Sequence, residues 1–122
     1  MVLVDTSVWI SLFRKENDKL GQKMWVLISE NRAAFCGQVW VEFIGGFRKE
    51  TERREHEKAL RSFPFLETNL KAYQLAAHLL AKYPHLGSGD AIIAATALEN
   101  KVPLLTLDKD FFTISTEGLK LS

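Results

Sequence analysis

The sequence predicts an α/β fold in three layers, in which helices cover both faces of a short, mainly parallel central sheet. Short apolar runs alternate along the chain with longer stretches of helical periodicity, which is the pattern of parallel βαβ units. The length of 122 residues, with 47% hydrophobic and 25% charged residues, fits one domain over residues 1–122. A chain of this size buries a core without needing a disulfide or a structural metal.

The first third of the chain predicts two strands and two helices. Residues 1–4 form an apolar run that ends on the carboxylate of Asp5, which indicates a buried strand. Apolar residues then recur at helical spacing over residues 8–13 and again over residues 19–30. Residues 33–36 follow as a second short apolar run, and we expect the second strand there.

The middle of the chain is more ambiguous. Residues 38–47 predict a helix, although three of them are β-branched, which weakens helix propensity. Residues 48–61 contain almost no apolar side chain and predict either a charged helix or a hairpin arm, which Pro64 ends. Their charges alternate in sign, which favours a solvated helix face over an RNA-binding arm. Residues 65–68 are a candidate third strand.

The last third predicts two helices and two further strands. Residues 72–80 carry a clear amphipathic pattern that stops before Pro84, and residues 90–99 are apolar almost all round, as in a helix buried on most sides. Residues 104–107 predict a buried strand, and residues 119–121 a further short one.

Charge and cysteine content exclude several classes of protein. Sixteen Lys and Arg against fifteen Asp and Glu give a formal charge of +1, so any nucleic-acid binding must be local. The single cysteine, Cys36, allows no internal disulfide and favours a reducing compartment. No apolar run approaches the roughly 20 residues of a membrane span, and we expect a cytoplasmic protein without membrane contact.

Four carboxylates occupy positions that invite a chemical explanation. Asp5 and Asp108 each follow a predicted strand, where parallel sheets open their functional cleft. Glu42 lies among apolar neighbours, where an unpaired charge would be costly, and Asp90 lies in the first turn of the buried helix. Separately, Asp5 could cap a helix and Asp108 could form a turn. Asp90 could be an acid of the first turn that the helix dipole favours. Neither a cap nor a turn accounts for Glu42.

Together, the four carboxylates suggest one site that binds a divalent cation. Mg2+ and Mn2+ prefer oxygen ligands and are usually held by a few carboxylates. Such an ion orients phosphate and lowers the pKa of a bound water. Phosphodiester hydrolysis is therefore the natural reaction, and it needs no histidine base.

Four segments, in order, resemble the PIN domain, and within it the VapC-type toxins of toxin–antitoxin pairs. They are residues 5–10 (Asp-Thr-Ser-Val-Trp-Ile), Glu42, residues 89–95 and residues 105–111. The resemblance implies an Mg2+- or Mn2+-dependent endoribonuclease, with catalytic and metal-binding acids at Asp5, Glu42, Asp90 and Asp108. It also implies hydroxyl groups at Thr106 and at Thr6 or Ser7, an RNA substrate, an antitoxin partner and a homodimer. Asp110 is the alternative to Asp108, which we prefer because it directly follows the apolar strand.

Two other classes of protein remain as alternatives, and a third is disfavoured. A receiver-like signalling domain resembles this chain in length and in its acids at strand ends, but it would carry a second Asp where Thr6 stands. A haloacid-dehalogenase phosphatase is disfavoured because Ser7 occupies the position of its second Asp. A non-catalytic interaction module, in which the acids only cap helices, would bind no metal and cleave nothing.

Overall fold

The computed structural model describes residues 1–122 and contains a three-stranded parallel sheet in the order β2-β1-β3. The central strand β1 (Val2–Val4) pairs with β2 (Ala33–Ala34) on one side and with β3 (Leu104–Leu105) on the other. All three residues of β1 are at most 1% exposed. Because successive side chains of a strand point to opposite faces, both faces of the sheet are covered.

Six α-helices and one 3-10 helix surround this sheet. They are α1 (Thr6–Arg14), α2 (Asp18–Ser29), α3 (Gly37–Gly45), α4 (Glu50–Arg61), α5 (Leu70–Lys82), α6 (Ser88–Asn100) and the 3-10 helix Lys109–Glu117. The α/β/α fold class predicted from the sequence is confirmed. None of these helices has the length and apolar character needed to cross a membrane.

The charged segment is a helix and not a hairpin arm. α4 covers Glu50–Arg61, and Leu60 is its one buried residue, which anchors an otherwise solvated helix. Glu50 and Arg54 form an i,i+4 ion pair of 2.8 Å along it. Helix formation therefore follows from charge pairing along the chain and one apolar anchor.

The structure corrects three local predictions near the edges of the sheet. Residues 65–68 and 119–121 form no strand, and each contributes one isolated bridge, Phe35 to Phe65 and Leu104 to Leu121. The strand predicted over residues 104–107 ends at Leu105. Beyond it, the side-chain oxygen of Thr106 accepts the backbone N–H of Asp108. After it, the chain turns into the 3-10 helix, which the sequence indicated only as a short turn.

Candidate active site

Asp5 lies where β1 ends and occupies the N-cap position of α1, but its side chain does not cap the helix. Its side chain makes no capping hydrogen bond and is 4% exposed. Its Oδ2 instead accepts hydrogen bonds from Ser7 Oγ and Thr106 Oγ1, each at 2.8 Å. The capping interpretation of Asp5 is therefore wrong, and two hydroxyl groups hold the carboxylate in place.

The same two hydroxyl groups connect Asp5 to the loop that carries Asp108. Ser7 Oγ accepts the N–H of Leu107 at 3.1 Å, and Thr106 Oγ1 accepts the N–H of Asp108 at 2.9 Å. Each hydroxyl thus donates to Asp5 and accepts from the backbone after β3. This arrangement fixes the carboxyl ends of β1 and β3 relative to each other.

Glu42 is exposed, so the burial expected from its apolar sequence neighbours is wrong. A helix separates sequence neighbours onto different faces, and the buried face of α3 is formed by Val39, Phe43 and Ile44. Glu42 Oε1 accepts a hydrogen bond from Thr6 Oγ1 at 2.6 Å, and Oε2 accepts one from Gln38 Nε2 at 3.1 Å. Two donors therefore orient this carboxylate.

Gly89 brings the start of α6 against Glu42. A Cβ atom at position 89 would overlap Glu42 Oε2 and would lie 2.9 Å from Gln38 Nε2. A larger residue at position 89 would require the carboxylate of Glu42 and the amide of Gln38 to move. The neighbouring residue, Asp90, is thereby held beside the other acids.

Asp90, Asp108 and Asp110 form the tightest acidic group. One carboxylate oxygen from each lies within 4.8 Å of the others. Asp108 also caps the 3-10 helix, since its Oδ1 accepts the N–H of Asp110 at 2.9 Å. Asp110 was the less favoured of the two acids in the sequence analysis. The structure brings both to Asp90, and Asp5 and Glu42 lie outside this tight group.

The charges of all four other acids act on Asp90. Burial and then the charges of Asp108, Asp5, Glu42 and Asp110 raise the pKa of Asp90 to about 6. Burial also raises the pKa of Asp5, opposed by the hydrogen bonds from its two hydroxyl donors. Asp90 is therefore the point at which the five carboxylates interact.

No basic side chain neutralises these five acids. The ion pairs of the structure use Glu16, Glu30, Glu50 and Glu117, all outside the site. A group of unpaired carboxylates is stable at neutral pH when a cation compensates it. The donor set contains only carboxylate and hydroxyl oxygens, which fits Mg2+ or Mn2+ and not a metal that prefers thiolate or imidazole ligands.

The two acids of the last loop are expected to contribute unequally. Asp108→Asn keeps the helix cap, because Asn caps as well as Asp, yet it removes a partly buried charge beside Asp90. If the site hydrolyses RNA, as the resemblance to the PIN domain implies, we expect Asp108→Asn to reduce cleavage by about 100-fold, which is about 2.7 kcal/mol of lost transition-state stabilisation. Asp110→Asn should cost about tenfold or less, because Asp110 is the acid whose charge acts least on Asp90. Cleavage rates of both variants at one Mg2+ concentration test the ranking, and the reverse order would make Asp110 the principal ligand.

Comparisons with a family profile and with known proteins agree on one family. The PIN domain family profile matches residues 2–116. The VapC ribonuclease Mb1587 of Mycobacterium bovis is 25% identical to this chain, over 94% of the chain and 92% of its own length. Ribonuclease VapC11 of Mycobacterium tuberculosis shows the same identity and coverage.

Solved structures share the fold along almost the whole chain. A toxin–antitoxin complex from Klebsiella pneumoniae contains a chain that is 27% identical, with a TM-score of 0.77, covering 91% of this chain and 90% of the other. VapBC2 from Rickettsia felis, solved with a promoter DNA fragment, superposes with a TM-score of 0.80 at 19% identity, covering 100% and 98%. With the family profile matching nearly all of the sequence, the chain belongs to the PIN domain family.

Proposed function

We propose that this protein is a divalent-cation-dependent endoribonuclease of the VapC type and the toxin of a toxin–antitoxin pair. The observation that carries the proposal is the convergence of five carboxylates without a basic partner at the carboxyl ends of β1 and β3. Membership of the PIN domain family and the ribonuclease relatives supply the substrate class. The non-catalytic module that was an alternative gives no reason for acids from separate segments to converge.

The proposal assigns roles to the residues of the site. Asp5, Glu42, Asp90 and Asp108 would hold the cation directly or through water, with the exposed Asp110 adding to its surroundings. When bound, Mg2+ or Mn2+ would orient the scissile phosphate, lower the pKa of a water and stabilise the charge of an in-line displacement.

The polar neighbours of the two remaining acids have positioning roles. Ser7 and Thr106 hold Asp5 in one orientation, and Thr6 and Gln38 do the same for Glu42. Partners of this kind keep metal ligands ordered, and their loss usually weakens metal binding or activity 10- to 100-fold, by about 1 to 3 kcal/mol.

An apolar groove is a candidate binding site for the expected antitoxin partner. The solved neighbours from Klebsiella pneumoniae and Rickettsia felis are described as toxin–antitoxin and VapBC structures. Here a groove of about 210 Å³ lies between α1, α3 and α4, with Trp9, Leu12, Phe43 and Phe63 in its walls. An apolar helix face of an antitoxin would fit such a groove.

Self-association is a further part of the proposal. Three apolar side chains of α5, Leu70, Tyr73 and Leu80, are 73%, 50% and 37% exposed. An apolar face of this kind is typical of an interface, and we assign it to a homodimer. A cytoplasmic location follows from the same proposal, since the RNA substrate and a free thiol at Cys36 both fit a reducing interior.

A cleavage assay with matched nucleic acids tests the proposed activity. We expect the protein with Mg2+ or Mn2+ to cut single-stranded or looped RNA and to leave DNA of the same sequence intact. The products should carry a 5′ phosphate and a 3′ hydroxyl, because a water and not the ribose 2′ hydroxyl attacks the phosphorus. Cleavage that persists in excess EDTA, or products with cyclic phosphate ends, would contradict the mechanism.

A further inference from the structure

A second cavity begins at Glu42 and extends away from the acidic site. It has a volume of about 350 Å³, within the usual range for small-ligand sites. Its walls come from α1, α3 and the segment that leads into α4, and Glu42 forms part of its lining. Through Glu42, the cavity therefore borders the site at which we place RNA hydrolysis.

The cavity is rich in uncommitted positive charge. Arg14, Arg48 and Lys49 line it, and the only acids in its walls are Glu42 and Glu52. Arg48 and Lys49 take part in none of the ion pairs of the structure. The formal charge of the whole chain is only +1, so three cationic side chains around one cavity are a local concentration of positive charge.

Arg14 is also available to a ligand. Its one ion pair, with Glu16, is 3.6 Å long, and the two side chains are 65% and 55% exposed. Exposed pairs with such geometry contribute little to stability. A phosphate group could therefore replace Glu16 at Arg14 at little cost.

Aromatic rings form the apolar part of the same cavity. Phe13 and Phe47 both line it, with their ring centroids 5.2 Å apart in an edge-to-face contact. His56 stacks on Phe47 with the centroids 4.1 Å apart, which holds that ring in place. Phe13 remains 46% exposed, so part of its ring surface is open to a planar group.

We propose that this cavity is a subsite for the RNA strand next to the scissile bond, in which Arg14, Arg48 and Lys49 bind backbone phosphate and Phe13 contacts a base. The inference rests on the proposed ribonuclease function. Single-stranded nucleic acids are bound by this combination of cationic groups along the backbone and aromatic surfaces for the bases. An acidic peptide would satisfy the cations, but its side chains would leave the exposed ring of Phe13 without a planar partner.

Paired double variants test the subsite by direct binding. Both are made in an Asp90→Asn background, so that RNA is not cut during the measurement. Arg48→Gln with Lys49→Gln removes two cavity cations, and Lys58→Gln with Lys71→Gln removes the same charge from residues of α4 and α5 that neither line the cavity nor form an ion pair. The probe is a short fluorescein-labelled single-stranded RNA of mixed sequence, titrated at several salt concentrations.

The cavity double variant should bind the probe about tenfold more weakly. The slope of log affinity against log salt should fall by about 1.4, at roughly 0.7 for each lost phosphate contact with a single strand. The control double variant should change affinity less than about twofold, in line with a general charge effect alone. Equal losses in the two double variants, or no loss in the cavity variant, would overturn the subsite.

Cleavage kinetics with Asp90 intact separate this inference from the proposed function. The cavity double variant should raise KM about tenfold and keep kcat, because it weakens binding without touching the acids. Cleavage by wild type with an unchanged KM in the cavity variant would overturn the subsite and leave the ribonuclease proposal intact. RNA binding that depends on the cavity cations, in a protein that cleaves no RNA, would support the subsite and contradict the ribonuclease.

Competition with a polyglutamate peptide tests the alternative occupant. Under the RNA proposal, the peptide should displace the probe from wild type only at concentrations far above the Kd of the RNA. Displacement at equal concentrations, lost in the cavity double variant, would assign the cavity to an acidic peptide and overturn the RNA subsite.

Discussion

Replacing Glu42 by Gln is expected to reduce RNA cleavage about a thousandfold and to leave the fold unchanged. Loss of a charge that supports a catalytic cation costs several kcal/mol of transition-state stabilisation, and each 1.36 kcal/mol is about tenfold in rate. The glutamine carbonyl can still accept from Thr6 Oγ1, and Gln38 can turn its amide to present oxygen. Single-turnover cleavage at saturating RNA measures the loss.

The control is the same substitution on an exposed helix away from the site. Glu55→Gln on α4 removes one carboxylate that lies in no ion pair and no cavity wall, and it should cleave like wild type. Circular dichroism of both variants should match wild type. Near-normal cleavage by Glu42→Gln would show that Glu42 only joins α1 to α3 and is not part of the catalytic site.

Replacing Asp90 by Asn is expected to move activity and stability in opposite directions. Cleavage should fall about a thousandfold, because Asp90 is the acid on which the other four carboxylates act. Without a divalent cation, however, the variant should be more stable than wild type at pH 7.5. The substitution removes one of five carboxylates that repel one another.

The size and pH dependence of this stabilisation follow from the pKa of Asp90. In the folded protein it is about 6, against 3.8 for an unperturbed Asp. Well below pH 3.8 the group is neutral in both states, so wild type and variant should be equally stable apart from the substitution itself. As pH rises from 3.8 to about 6 the carboxyl ionises first in the unfolded chain, so wild type loses stability over this range, and the loss is constant above it. The loss reaches about 1 to 2 kcal/mol after allowance for solvent screening of this partly exposed group.

The positions of Asp5 and Asp108 after strands could be predicted from the sequence, because strand termini are local features, whereas their catalytic roles stay a prediction. Asp5 and Asp108 each follow an apolar run, and parallel topology brings the carboxyl ends of strands to one edge. Glu42 was selected for the wrong reason, since it is exposed on α3. Thr6 and Gln38 orient it, and its resemblance to the family motif gave the better signal for a catalytic role, which stays a prediction.

The remaining parts of the site depend on contacts distant in sequence. The hydrogen bond from Thr106 to Asp5 joins residues 101 positions apart, and no local pattern shows it. Asp110 joins Asp90 only because the chain turns into a 3-10 helix after Asp108. The two-residue spacing from a capping Asp is the one signal in the sequence that could have indicated it.

The cationic cavity could not be predicted for a similar reason. The alternating charges of residues 48–61 do form a solvated helix, as favoured from the sequence. Arg48 and Lys49, however, lie just before that helix and meet Arg14 from α1 across the cavity. These cations come together only through the packing of α1 against α3 and α4.

Thermal unfolding of wild type and Asp90→Asn, with EDTA and with Mg2+ at pH 7.5, tests most directly whether the five carboxylates form one divalent-cation site. Wild type should gain several degrees with Mg2+, since an ion that binds only the folded state at about 100 times its Kd adds about 2.7 kcal/mol. Asp90→Asn should melt higher than wild type in EDTA and gain much less from Mg2+. A wild type that is insensitive to Mg2+ and Mn2+, together with a destabilised Asp90→Asn, would show that the acids are structural caps and would contradict the cation site.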